Sequence, residues 1–223
     1  MKYKSILISL AFSAVALAAD TAKDRLEASA TVFSEIMGTP DKGIPQDLLN
    51  MAQCAVIVPG MKKAAFVVGG QYGKGFAICR KAGGAGWGAP GAVRIEGGSF
   101  GLQIGGSSTD VVMLVMNAGG MEKLLGDKFT LGADASVAAG PVGRTAAADT
   151  DVKMTAEILA WSRAKGVFAG IALKGATLRN DLDSNEELYG SKLDNRQVLN
   201  GGQAPPPAAQ KLVAVMDKYS MRK

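Results

Sequence analysis

The feature that most limits what this chain can become starts at Cys54, where short apolar, β-branched runs follow one another, each cut off by glycine. AVIVPG, AAFVVGG, GFAICR, AVRIEGG, FGLQIGG, DVVMLVM, LGADASVAAG, EILAWSRA and GVFAGIALKGATL all have strand length and turn punctuation. From Val67 to Phe76 the linking residues are too few for the helical crossover that parallel strands need, so neighbouring runs should pair antiparallel. Glycine within such runs permits bulges and close backbone approach. The expected fold is α+β in a single domain: a strongly curved antiparallel sheet, sandwich-like or barrel-like, with N-terminal helices before it and short C-terminal helices after it.

Thr21 to Met37 places Leu26, Ala30, Phe33, Ile36 and Met37 three and four apart, as an amphipathic helix does, and Gly38-Thr39-Pro40 ends it. A second short helix is expected from Ile44-Pro45, turning Leu48, Leu49 and Met51 inward. Further helical turns are expected at Gly120 to Leu125, Ser184 to Tyr189 and Lys192 to Leu199. Residues 201–210 (GGQAPPPAAQ) read as a linker. Residues 211–223 can form a helix with Leu212, Val215, Met216 and Tyr219 on one face, suited to a membrane surface or partner groove; a docked or frayed terminus is the alternative.

Lys2 and Lys4 precede an apolar run from Ile6 to Leu17 that closes on Ala16-Leu17-Ala18. This is the order of a secretory signal peptide over residues 1–18, cleaved after Ala18, with the folded domain over 19–200. The run falls short of the ~20 residues of a bilayer-spanning helix. Cleavage removes Lys2 and Lys4 and no acid, lowering the formal charge from +5 to +3. Such a mild basic balance suits an anionic membrane surface, and the lack of long basic blocks argues against nucleic acid.

The chain contains no histidine. That excludes Ser-His and Cys-His dyads and imidazole metal sites, and two cysteines cannot form a thiolate cage. Three near-motifs fail on spacing or partners. Gly69 to Gly75 is one residue short of a phosphate loop and has Gly75 where a hydroxyl is required. Asp181, Asp183 and Asn185 begin like a calcium loop, but Glu186 replaces the turn glycine and Lys192 the closing glutamate; helix capping by Asp183 or Ser184 is the simpler reading. Ser162 to Lys165 matches S-x-x-K without its companion elements. No catalytic set, metal or cofactor is expected.

Cys54 and Cys79 form an even pair in a chain with an export-type start, which allows a disulfide; two small buried apolar residues are the other reading. Lys62, Lys63, Lys74, Arg80 and Lys81 fall at expected turns and strand ends, where a meander could gather them on one rim to hold anionic headgroups.

Four stretches carry a resemblance: Cys54 to Gly75 (CAVIVPGMKKAAFVVGGQYGKG), Gly97 to Met116 (GGSFGLQIGGSSTDVVMLVM), Leu131 to Arg144 (LGADASVAAGPVGR) and Glu157 to Ala176 (EILAWSRAKGVFAGIALKGA). Over about Arg25 to Leu199 the chain resembles the SYLF domain, a family of membrane-associated modules with exported bacterial members and eukaryotic lipid- and actin-binding ones. The resemblance implies a lipid or membrane surface as partner. With the export signal, the expected protein is periplasmic or secreted, peripheral to a membrane, and binds anionic phospholipid of a bacterial envelope without catalysis. An envelope structural or protein-interaction module is the alternative; a hydrolase built on Asp110, Asp134, Asp149 or Ser162 is a third.

Overall fold

The computed structural model describes residues 20–39, 43–66, 68–83, 85–100, 105–142, 156–164, 167–171, 173–200 and 202–220; the expected signal segment lies outside them. Helix α1 (Ala22–Met37) opens with a capping box. The Thr21 hydroxyl accepts from the Asp24 backbone N–H at 3.1 Å, and the Asp24 carboxylate accepts from the Thr21 N–H at 3.3 Å. Its buried stripe includes Leu26, Ala30, Phe33 and Ile36, on the spacing the sequence implies. Helix α2 (Gln46–Met51) has Pro45 just outside it and buries Leu48 and Leu49. Met51 points outward, 41% exposed, because a helix this short presents only one turn to the core.

Among the described residues nine strands follow, interrupted by helix α3 (Ala118–Leu125): β1 (Cys54–Phe66), β2 (Val68–Cys79), β3 (Gly91–Phe100), β4 (Gly105–Val115), β5 (Lys128–Thr130), β6 (Val137–Ala139), β7 (Ile158–Ala164), β8 (Val167–Gly170) and β9 (Thr177–Asn180). Their order is β5-β9-β3-β2-β1-β4-β7-β6, with β8 also on β7. Laid flat, eight strands would place β5 and β6 ~34 Å apart at about 4.8 Å per neighbour. Only residues 131–136 join those two strands, and seven peptide steps reach about 25 Å at most. The sheet therefore has to curl into a half-barrel that brings its ends together.

The curl is built into β1 and β2. A bulge near Gly60 (φ 58°) adds one residue to β1 between its pairings Ile57 with Phe76 and Lys62 with Tyr72. Gly73 and Gly75 on β2 let the bulged backbone lie close, since a Cβ on Gly75 would sit 2.0 Å from the Ile57 carbonyl oxygen.

Both faces of the central strands are buried, which is why they read as continuous apolar runs. Ala55, Ile57, Val112 and Leu114 join α1, α2, Phe76, Trp87 and Trp161 in one core. Val56, Val58, Val111 and Met113 face a second core inside the curl, with Val93, Ile95, Phe129 and Leu178. The expected all-antiparallel pairing needs one correction: β6 lies parallel to β7. Short-turn logic constrains neighbours along the chain and says nothing of two strands separated by a long connection.

The C-terminal segment returns to α1. Helices α4 (Leu182–Tyr189) and α5 (Asn195–Leu199) lead to a 3-10 turn at Pro207–Ala209 and helix α6 (Gln210–Tyr219). Leu212 and Met216 are fully buried, and the Tyr219 ring meets Phe33 edge-on at 6.3 Å. Buried Arg80 closes the end of the tail. Its guanidinium donates to the Leu49 carbonyl at 3.1 Å, to the Ser220 hydroxyl at 2.5 Å and to the Ser220 carbonyl, and stacks 4.0 Å over Trp87. The apolar face of α6 is thus part of the core.

Cys54 and Cys79 stand opposite each other at the base of β1 and β2, bonded through sulfurs 2.04 Å apart and almost wholly buried. They close a loop with a sequence separation of 25. Chain entropy gives such a link about 3 kcal/mol. The double variant Cys54→Ala/Cys79→Ala should lose that much in urea unfolding. An unchanged midpoint, or both thiols free in protein isolated without reductant, would contradict the assignment.

Candidate functional site: a basic outer sheet face

The helices cover only part of the outer face of the sheet. Beyond the rows roofed by α1, one row runs across six strands as Ser108, Lys62, Tyr72, Glu96, Thr177 and Thr130. Tyr72 is 46% exposed. Two residues along each strand on the same face, a second row reads Lys74, Arg94, Arg179 and Lys128 across β2, β3, β9 and β5. In the other direction Gly98, Gly70, Ala64 and Gly106 form a smooth row with open space above Gly70 and Gly98.

Four cations in direct cross-strand register repel one another at ~5 Å spacing. Two carboxylates offset this. Glu96 lies 2.6 Å from Arg94 and 3.4 Å from Arg179, and buried Asp181 lies 2.9 Å from the Lys74 ammonium. Burial pushes the Asp181 carboxyl up, but Lys74 and the Ser184 hydroxyl more than offset this and hold it below the usual carboxylate range. The stability from this contact is present above the unfolded pKa of an aspartate and is lost as pH falls through the lower folded value. Lys62 and Lys128 are exposed and have no carboxylate partner among the described residues. The face thus carries Lys62, Lys74, Arg94, Arg179 and Lys128, with Glu96 as the carboxylate set among them at the surface.

The structure redistributes the five basic residues expected to share a rim. Lys62 and Lys74 belong to the outer face. Lys63 is one residue along, so its side chain projects to the opposite face, level with Gln71. Both Lys62 and Lys63 lie within β1, not at a turn, because the strand extends to Phe66. Arg80 is consumed by the tail, as described above, and is corrected from headgroup ligand to structural residue. Lys81 is exposed just past the end of β2, about 30 Å from Tyr72 at 3.3 Å per residue, where Arg80 and Lys81 border a cleft of about 580 Å³ with apolar Met121 and Leu199.

Arg94, Arg179 and Lys128 escaped the sequence reading. Each is a charged residue inside a strand, and only the pairing of β3 with β9 and of β9 with β5 aligns them. The one available signal was alternation: in AVRIEGG, Arg94 and Glu96 fall on the polar phase of a strand whose Val93 and Ile95 are buried.

Among the described residues the hydrolase candidates do not assemble. Asp110 accepts from Arg163 at 2.7 Å and from the Gly60 N–H at 2.8 Å; Asp134 accepts from the Thr130 N–H at 2.7 Å within its own turn. Asp149 lies outside the described residues. The calcium-like stretch is likewise structural. Asp181 precedes α4 and binds Lys74, and Asn185 accepts from the Ala92 N–H at 2.8 Å and donates to Leu193 at 2.7 Å. Capping by Asp183 or Ser184 is not seen; Asp181 holds the position before α4, and Ser184 donates to it at 2.7 Å. Among the described residues no group of three or more acidic or cysteine side chains is placed to hold a metal.

Residues 96–219 match the family model Ysc84, described as Las17-binding protein actin regulator. The chain is 33% identical over 181 residues to LAS seventeen-binding protein 3 of Saccharomyces cerevisiae, covering 79% of this chain and 39% of that protein. It is 31% identical over 183 residues to SH3 domain-containing YSC84-like protein 1 of Xenopus laevis and 29% over 191 residues to the protein of that name in Homo sapiens, covering 81% and 84% of this chain and 54% and 55% of those proteins. The chain therefore spans about half, or less, of the length of these relatives. Their names describe what they bind or contain, not a reaction.

Proposed function

Because the chain belongs to the Ysc84, or SYLF, family, we propose that it is a non-catalytic binding protein whose basic outer sheet face docks on an anionic membrane surface. The observation that carries this reading is the gathering of five cations from five strands around one surface carboxylate, on the part of the sheet that helices leave open. Exposed Tyr72 in their midst supplies an amphipathic ring of the kind that sits well at a headgroup boundary. The signal-like start supports an exported protein acting at a bacterial envelope, peripheral to the membrane. The family model's description, which names a protein ligand, supports a second reading in which the same face holds an acidic protein.

Flotation with phosphatidylglycerol-containing vesicles separates them, using protein from the envelope fraction whose intact mass begins at Ala19 or Asp20. Each basic residue near an anionic surface contributes about 1 kcal/mol. Replacing exposed Lys62 and Lys128 with glutamine should therefore weaken binding ~30-fold, and added salt should weaken wild type. The control Lys211→Gln/Lys218→Gln, on α6, should bind as wild type. If the control loses binding and the face variant keeps it, the face is wrongly chosen; if wild type binds no vesicle at low salt, the protein-partner reading replaces the membrane.

A further inference from the structure

The two central cations of the second row differ from their neighbours. Arg94 and Arg179 are directly opposed on β3 and β9, and the carboxylate of Glu96, two residues along β3 on the same face, reaches both. Its two oxygens divide between the guanidinium groups, Oε1 to Arg94 and Oε2 to Arg179. Arg179 Nη1 donates to the carboxylate, while Arg94 Nε faces it as an ion pair and makes no hydrogen bond among the described residues, so an internal group stands where a pair of arginines would take an external oxyanion, with one donor still unused. All three side chains are within solvent reach, at 30%, 39% and 36% exposure for Arg94, Arg179 and Glu96. Glu96 is held by these arginines alone in the described contacts, so a rotation about its side-chain bonds would release both at once.

We propose that Arg94 and Arg179 form an oxyanion site in which Glu96 is a displaceable resident, so that the site admits a group carrying two negative charges, such as a phosphate monoester or pyrophosphate, in preference to a singly charged one. A monoanion offers the arginines no more than the carboxylate already there. A dianion offers twice the charge and a third oxygen, and Lys74 and Lys128 at the two ends of the row add attraction at ~5 Å steps. Approach is from the open face. The neighbouring cleft that Arg94 and Arg179 also border is walled by Asp127, Asp183 and Asp194. Arg94, Arg179 and Lys192, the last 3.5 Å from Asp183, balance those three carboxylates, so that side is near neutral and draws no anion.

This rests on the outer face being the binding face, as proposed above, but its test does not need a membrane. If Glu96 occupies the pair about nine-tenths of the time, removing its charge raises apparent affinity ~tenfold. Titration of Glu96→Gln with pyrophosphate, followed by amide chemical shifts at β3 and β9, should show that gain over wild type. The unliganded thermal midpoint should fall at the same time, because the row loses a counter-charge. Adding Arg94→Gln to Glu96→Gln should abolish the gain. Tighter pyrophosphate binding together with tighter flotation on phosphatidic acid vesicles supports the site with the anion on a lipid; tighter pyrophosphate binding without flotation supports it with a free anion and removes the membrane reading alone. A Glu96→Gln protein that loses stability without gaining pyrophosphate affinity shows Glu96 to be a structural counter-ion and overturns the proposal.

Discussion

Replacing Arg80 with methionine should lower the thermal midpoint by about 10 °C, the largest effect expected of any charge removal in this protein. The substitution keeps the apolar volume and deletes every donor. It leaves the carbonyls of Leu49 and Ser220 and the Ser220 hydroxyl buried without the guanidinium that serves them. The Ser220 carbonyl keeps the Trp87 indole N–H at 3.1 Å and the Ser220 hydroxyl keeps Asn50, but the Leu49 carbonyl loses its guanidinium donor. An unmet buried polar group costs about 1–3 kcal/mol, and the lost stacking on Trp87 adds to it, so ~3 kcal/mol should go. In a domain of this size that corresponds to roughly 2–4 °C per kcal/mol. The tail should also become the first site of proteolysis, cut between Gln203 and Gln210. A midpoint equal to wild type would show that the tail is held without Arg80. Vesicle binding measured below the lowered midpoint should be unchanged, which separates this residue from those of the outer face.

Gly75→Ala should destabilise by around 3 kcal/mol, whereas Gly70→Ala on the same strand should be near neutral. Gly70 is exposed on the outer face and Gly75 is buried against β1, and what lies above each decides the outcome. A methyl at 75 meets the Ile57 carbonyl oxygen at 2.0 Å and the Val58 Cα at 2.7 Å; at 70 it meets nothing within 4 Å. Backbone cannot rotate aside as a side chain can, so β1 must lift from β2 across the bulge, at the upper end of the cost of overpacking. Gly70 gains from a residue with less freedom in the unfolded chain. Equal urea midpoints for the two variants would rule out the close approach of β1 and β2 as the origin of the curl.

These glycines show where the sequence was readable and where it was not. Runs such as AVIVPG and DVVMLVM announced strands because both of their faces are buried. Leu26, Ala30, Phe33 and Ile36 announced α1 because a helix's buried stripe is written in its own three-and-four spacing. By contrast, GVFAGIALKGATL looked like one strand, yet it divides into β8 and β9 around Gly175 (φ 82°). Local pattern also fixed neither end of the register. Lys74 is a turn residue by composition and a mid-strand residue in fact, because the β1–β2 hairpin turns six residues earlier, at Val68. Arg94, Arg179 and Lys128 are separated by up to 85 positions along the chain and become neighbours only through pairings no spacing rule encodes. Arg80 failed for the opposite reason: a charged residue after a strand is usually solvated, and what buries this one arrives 140 residues later.

The docking of α6 on α1 also governs when the molecule can be finished. Residues 22–37 wait for residues 210–219 before their apolar stripe is covered, and β7 reaches β4 from about 50 residues away. Contacts this distant must close long loops before they repay the lost chain freedom, which makes folding slow. During synthesis the growing chain therefore has a nearly complete set of strands but no closed first core until Ser220 has emerged, and it remains pliable for that whole interval. A nascent chain of this kind is a substrate for holding chaperones and can still be threaded through a narrow channel; once its two ends have met, it is not.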